Sequence, residues 1–291
     1  MEKNNFFVKS HGLGNDYIVL DSEKIDFQLT EELIKNICDV HYGIGSDGIL
    51  VKYSSNVADF KLRIFNPDGS EAEKSGNGLR IFCKFLYDYG YTNKDEFTVE
   101  TKGGIVRAKI EEKTKFNKAK VITVDMGKAT FKAKDIPVKT DKEEFISQKI
   151  MVEDREFEVN CVSVGNPHCV IIKDDLDEEE VKKYGPLIEN HPIFPNRINV
   201  QFVKPVNKNE VQILIWERGA GFTYASGSSS CAVASVLVKK GLADREITVK
   251  MIGGDLKISI DENWNIKMTG EVKEICYGFI SREFLEWRGF L

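Results

Sequence analysis

One spacing constrains this chain more than any other feature: its second half repeats its first at an offset of 151 residues. Gly14-Asn15 is matched by Gly165-Asn166, and the apolar run ending at Asn66 by the run ending at Glu217. Ser75-Gly76 is matched by Ser226-Gly227, and the glycine closing the next apolar segment, Gly90, by Gly241. Phe97-Thr-Val and Gly103-Gly104 then match Ile247-Thr-Val and Gly253-Gly254 at 150, a slip of one residue. A chain with 23 glycines supplies isolated matches by chance, but not an ordered series of this kind. Two copies of one structural unit follow. The 291 residues then divide into an N-terminal domain over 1–127, to which 277–291 returns, and a C-terminal domain over 128–276.

Within each copy, short or alternating apolar runs predict strands, over 17–20, 48–51, 62–65, 96–100 and 105–110 in the first and over 246–251 and 256–260 in the second. A glycine-bearing loop opens one strong helix in each, over 79–89 and 231–240, and Gly90 and Gly241 supply the stops. The second of these is apolar nearly all round, which predicts a helix buried at the centre of its domain. The acidic stretch 174–184 reads as an exposed helix with a solvated face. The fold class is α+β.

Composition removes several functions. A chain that is 42% hydrophobic has ample material for a core. With 41 Lys and Arg against 46 Asp and Glu, the net charge of −5 gives no electrostatic reason to expect nucleic acid. No apolar run approaches the ~18 residues of a membrane span. The first seven residues lack a secretory apolar stretch, so the expected address is the cytoplasm. The six cysteines are scattered without a Cys-x-x-Cys pair and the four histidines are dispersed, so neither a disulfide framework nor a metal site is expected.

The chemistry lies at the two helix starts. A helix start leaves N–H groups unpaired and carries partial positive charge, which suits a carboxylate or phosphate. Serine is also among the best N-cap residues, so Ser75 or Ser226 taken singly reads as a plain cap. The repeat adds a second reading, in which two equivalent helix starts face each other across an interdomain cleft and hold one anion from both sides. Groups on opposite sides of one carboxylate can remove a proton from one face of its α-carbon and return one to the other. The helix starts would stabilise the charge that builds as the proton leaves. Such an arrangement describes a racemase or epimerase that needs no cofactor.

Six segments carry a resemblance: His11-Gly-Leu-Gly-Asn-Asp-Tyr17, Asn66-Pro-Asp-Gly-Ser-Glu71, Ser75-Gly-Asn-Gly-Leu-Arg80, Val164-Gly-Asn-Pro-His168, Phe194-Pro-Asn-Arg-Ile-Asn199 and Glu217-Arg-Gly-Ala-Gly221. In this order they resemble the diaminopimelate epimerase family, pyridoxal-independent enzymes of two pseudo-symmetric domains. The resemblance implies two barrel-like domains, each a mixed sheet round a central helix, with the active site in the cleft between them. It also implies an amino acid substrate of the diaminopimelate kind, a place in lysine and cell-wall precursor synthesis, no cofactor, and a homodimer. By position, Gly76, Asn77, Gly227 and Ser228 fall where backbone N–H groups hold the α-carboxylate, and Asn15 lines the pocket. Asn66, Asn166, Asn199 and Arg218 match the groups that grip the distal amino acid end, the arginine being suited to a planar carboxylate. For Asn66 and Asn166 taken singly, a turn role beside proline is the alternative. Glu217 and His168 match the polar pair that orients and helps ionise the catalytic bases.

At the bases the chain departs from the family pattern. The family carries a cysteine in each half where this chain has Ser75 and Ser226. Phe222 also replaces a usual glutamate, Ser229 a usual glycine, and Tyr224 is bulkier than most residues there; Cys231 matches a structural cysteine. Cysteine titrates at about 8.5 and can be brought to about 3.5–7.5 by helix ends or positive neighbours. A helix start contributes up to ~2 kcal/mol, or ~1.5 pKa units. A serine hydroxyl is not ionised at neutral pH by that amount, so it needs a neighbouring base, such as His168 or Glu217, to take its proton. Three accounts fit the serines: a divergent natural branch, cysteines exchanged for serines, or a protein that binds an amino acid without turning it over. A racemase for another amino acid, with Phe222 and Tyr224 reshaping the pocket, is the alternative among enzymes. The retained Asn66, Asn166, Asn199 and Arg218 favour a substrate with an amino acid head at both ends.

Overall fold

The computed structural model describes residues 3–73, 75–287 and 289–290. Met1 and Glu2 of the N-terminal segment, and Arg288 and Leu291 of the returning C-terminal segment, lie outside the described residues, as does Lys74. The chain divides into two compact units, Met1–Val124 with Gly270–Leu291, and Asp125–Thr269. No helix among the described residues is long and apolar enough to cross a membrane.

The first unit runs β1 (Phe6–Gly12), β2 (Asn15–Asp21), α1 (Glu31–Cys38), β3 (Ile49–Tyr53), β4 (Phe60–Phe65), β5 (Glu71–Ala72), α2 (Gly76–Asp88), β6 (Glu96–Thr101), β7 (Gly104–Lys113) and into β8 (Ala119–Lys128). The second continues with β9 (Gln148–Val152), β10 (Arg155–Ser163), β11 (Pro167–Ile172), α3 (Glu178–Glu189), β12 (Asn199–Asn207), β13 (Glu210–Glu217), β14 (Gly221–Thr223), α4 (Gly227–Lys239), β15 (Glu246–Met251), β16 (Gly254–Ile260) and into β17 (Asn265–Glu271). The chain then returns to the first unit with β18 (Lys273–Phe279) and α5 (Arg282–Trp287).

Strand pairing repeats with the sequence. In the first unit β1 is antiparallel to β2, β2 parallel to β3, β3 antiparallel to β4, and β4 parallel to β6 and antiparallel to β5. In the second, β10, β11, β12, β13, β14 and β15 pair in the same order and senses. Each unit is a mixed sheet with one helix at its centre. In the first, α2 packs against β1, β2 and β7; in the second, α4 packs against β10, β11, β12, β15 and β16. Both helices are buried nearly throughout, α2 from Gly76 to Leu86 and α4 from Gly227 to Leu237 apart from Ser228. Both end on a glycine with positive φ, 75° at Gly90 and 70° at Gly241, which lets the last turn close on its own carbonyls. The outer helices cover the other faces: α1 buries Leu33, Ile34 and Ile37 against Ile18, Leu20 and Ile49, and α3 buries Val181, Tyr184 and Ile188 against Phe157, Val200 and Phe202.

Three details differ from the sequence reading. The central helices begin at Gly76 and Gly227, three and four residues before the positions read from the apolar pattern, because the serine caps start each helix while the small residues after them carry no apolar signal. The acidic helix spans Glu178–Glu189, with Asp177 as its N-cap, rather than 174–184, and its far face is core. Helix α1 was not foreseen, although Thr30 caps it and Glu31 and Glu32 fill its first turn. In the returning segment β18 pairs with β1, and Ile280 and Leu285 join the core around α1.

Candidate active site

In the first unit, β5 and the following loop deliver Ser75 to the N-cap of α2 in an extended conformation, φ −138° and ψ 120°. Its Oγ accepts the Gly78 N–H at 3.0 Å, and the N–H groups of Gly76 and Asn77 meet no acceptor among the described residues. A Cβ at Gly78 would stand 3.2 Å from Ser75 Oγ and 3.1 Å from Leu50, so the close turn depends on glycine. Side chains brace the amides from behind. The fully buried Arg80 donates to Asn77 Oδ1 at 2.7 Å, Asn77 Nδ2 donates to Asn15 Oδ1 at 3.2 Å, and Asn15 Nδ2 donates to Asp47 at 2.9 Å. The Tyr17 hydroxyl lies 3.3 Å from Ser75 Oγ. Its ring fits because position 48 is glycine; a Cβ there would come within 2.8 Å of it. Asn66 is not drawn into this cluster: its Nδ2 donates to Ser70 Oγ at 2.9 Å inside the turn after β4.

The second unit builds the equivalent start with different neighbours. Ser226 caps α4 at φ −150° and ψ 123°, its Oγ accepting the Ser229 N–H at 3.4 Å and lying 3.5 Å from Ser228 Oγ. The amides of Gly227 and Ser228 are again without an acceptor among the described residues. Glu217, the last residue of β13, stands beside Ser226. Burial pushes its carboxyl above the usual carboxylate range, and the nearby Ser226 hydroxyl offsets part of that. A carboxylate with raised proton affinity against a serine hydroxyl is an acceptor for the serine's proton.

The parallel pairing of β11 with β12 sets His168 opposite Asn199. His168 is fully buried, with Gln201 Nε2 donating to its Nδ1 at 3.0 Å. Its proton is therefore on Nε2, which faces Asn166 Oδ1 at 2.9 Å. Burial holds the ring neutral, with a pKa lowered to about 3, and the Arg218 charge adds to this. Asn199 has both ends engaged, donating to the Pro167 carbonyl at 2.8 Å and accepting the Arg218 N–H at 3.0 Å. The Arg218 guanidinium donates to the Asn196 carbonyl at 3.1 Å. No bond joins His168 to Glu217 or to Ser226 among the described residues; Gln201 instead links His168 to Ser229 Oγ at 3.0 Å, beside the cap. Phe222 packs on the core under the Lys182 ammonium of α3 and touches the Tyr224 ring, and Tyr224 is exposed. Among the described residues no group of three or more His, Cys, Asp or Glu is placed to hold a metal ion.

Tyr17, Asp47, Arg80 and Gln201 escaped sequence reasoning. Gln201 had a signal: a polar side chain two residues past Asn199, on the same face of an otherwise apolar strand.

The profile of the diaminopimelate epimerase family matches residues 7–132 and 160–275. The chain belongs to the diaminopimelate epimerase family. Relatives named diaminopimelate epimerase include one from a Nostoc species, 49% identical over 95% of this chain and 96% of its own length. Another, from Methanococcus maripaludis, is 45% identical over 94% and 99%. Among solved structures, a probable proline racemase from Agrobacterium radiobacter superposes with a TM-score of 0.70 at 13% identity, over 95% of this chain and 93% of that one. A PhzF-family phenazine biosynthesis protein from Bacillus anthracis gives 0.67 at 19%, over 96% and 99%. At these identities the two structures establish the fold alone, an α+β fold of two repeated domains.

Proposed function

We propose that the protein is a cofactor-independent isomerase that interconverts LL- and meso-diaminopimelate by proton transfer on both faces of one α-carbon. The observation that carries this reading is the pair of serine-capped helix starts with free amides, in a chain that belongs to the diaminopimelate epimerase family. In this reading both helix starts act on one substrate. The amides of Gly76, Asn77, Gly227 and Ser228 hold the α-carboxylate and take up the charge that develops on it. Ser226 Oγ accepts the α-proton while its own proton moves to Glu217; the Cα–H bond breaks, an O–H bond forms on each of Ser226 and Glu217, and the old Ser226 O–H breaks. Ser75 gives its hydroxyl proton to the opposite face of the carbanion and recovers one from Tyr17, whose phenolate is reprotonated by water; the proton released by Glu217 to solvent neutralises the hydroxide left and restores the starting state. In the reverse direction the two sides exchange roles.

Arg218, Asn166 and Asn199, with Asn66, serve the distal amino acid end, Arg218 by pairing with its carboxylate. His168, held neutral, orients Asn166 for that task. The serines favour one other reading, a protein that binds diaminopimelate without turning it over. The family also supports a homodimer and a cytoplasmic biosynthetic role. The test is deuterium uptake from D2O at the α-carbon of LL- and meso-diaminopimelate. Exchange with interconversion supports the isomerase. Ligand-induced thermal stabilisation with no exchange supports the binding reading.

A further inference from the structure

Glu189 is the last residue of α3, where a carboxylate meets the negative end of the helix dipole, and its side chain is only 6% exposed. A buried acid at that end is unfavourable unless several donors converge on it. Three do. Oε1 accepts the Gly219 N–H at 2.9 Å and Arg197 Nη1 at 3.0 Å, and Oε2 accepts the Trp216 indole N–H at 2.7 Å.

The donors bracket the turn that carries Glu217 and Arg218. Trp216 and Gly219 flank Glu217 and Arg218 in the turn after β13, and Arg197 lies two residues before Asn199, whose Oδ1 holds the Arg218 N–H. The approach is built into α3 as well. At Gly185, one turn before Glu189, a Cβ would come within 2.6 Å of the Trp216 ring, so glycine lets the indole lie on the helix with its N–H on the carboxylate. Gly219 has φ +80°, a conformation glycine adopts freely, and there its N–H meets Glu189. Indole, turn amide and guanidinium thus converge on one carboxylate that touches neither helix start.

We propose that Glu189 is the positioning residue for substrate selectivity: it fixes the turn that aims Arg218 at the distal carboxylate of the substrate. This rests on the role given to Arg218 above. Glu189→Gln keeps the size of the side chain but removes the charge that holds three donors at once. Measured with meso-diaminopimelate, Kd by calorimetry and KM should rise about tenfold, a change of about 1.4 kcal/mol, while kcat stays within about twofold. Trp216→Phe, which removes only the bond to Oε2, should raise both about threefold. In an Arg218→Ala background, Glu189→Gln should change Kd and KM no further, because the residue it positions is already gone. The inference is overturned if Glu189→Gln lowers Tm but leaves Kd and KM unchanged, or if its effect persists in full without Arg218. Binding by the unmodified protein without α-proton exchange would defeat the isomerase reading alone, because Kd still reports on Glu189. Absence of binding would overturn both.

Discussion

Ser75 and Ser226 cap their helices with nearly the same backbone, φ and ψ of −138° and 120° against −150° and 123°, yet different groups stand behind the two hydroxyls. Behind Ser226 is Glu217, a carboxyl whose proton affinity is raised by burial. At the matching position of the first unit, 151 residues earlier, is Asn66, turned into its own loop. Behind Ser75 is the Tyr17 hydroxyl, and at the matching position of the second unit is His168, turned instead toward Asn166 and Gln201. Duplication has kept the backbone of the two capped helix starts and let the side chains behind them diverge. In the proposed mechanism, read from LL- to meso-diaminopimelate, the second copy takes the proton and the first supplies one.

The contrast is broken most severely by Glu217→Gln. With the acceptor for the Ser226 proton gone, α-proton exchange should fall by about 10²–10⁴, the usual worth of a positioned acid or base. Circular dichroism should show the fold retained. In the intact protein the acid limb of the kcat profile should lie above the ordinary carboxylate range, since Glu217 must be ionised to act and burial raises its pKa.

Ser75→Cys tests the weaker side. A thiol titrates at about 8.5, lower still at a helix start, so exchange should rise about tenfold or more. Ser226→Cys should gain less, because Glu217 already assists that hydroxyl. Equal gains would erase the asymmetry. Tyr17→Phe removes the group 3.3 Å from Ser75 without disturbing the cap bond to Gly78, and should slow exchange by about threefold to tenfold. The same substitution in Ser75→Cys should cost less.

A last prediction concerns stability rather than rate. His168 has a folded pKa of about 3 against an ordinary 6.5, so below 6.5 the unfolded chain binds a proton that the folded one refuses. Stability from this group is complete above 6.5 and declines as pH falls toward 3, by about 2 kcal/mol between pH 7 and pH 5. Urea midpoints measured at both pH values should show the loss, and His168→Gln should flatten it.

What the sequence disclosed and concealed has a physical pattern. The two caps and the glycine stops were legible because each is local: Ser-Gly before an apolar run and a glycine after it prescribe the ends of a buried helix. Gln201, Tyr17 and Glu189 were not, because their partners are set by packing between distant segments. Gln201 reaches His168 only because β12 lies parallel beside β11, and Tyr17 meets Ser75 only because Gly48 leaves room for its ring. Glu189 lies beyond the acidic stretch 174–184 that reads as a solvated helix, and nothing local marks it as buried. Asn66 shows the converse: its motif places it with the substrate-gripping set, while its amide bonds Ser70 in a turn.

The central claim is that Ser75 and Ser226 serve opposite faces of the same α-carbon. Ser75→Ala and Ser226→Ala, each incubated in D2O with LL- and with meso-diaminopimelate at high enzyme concentration, test it most directly through deuterium at the α-carbon and the ratio of isomers. Each variant should exchange the α-proton of one isomer only, a different isomer for each serine, and neither should interconvert the two. Interconversion by either variant, or exchange of both isomers by one, would contradict the assignment.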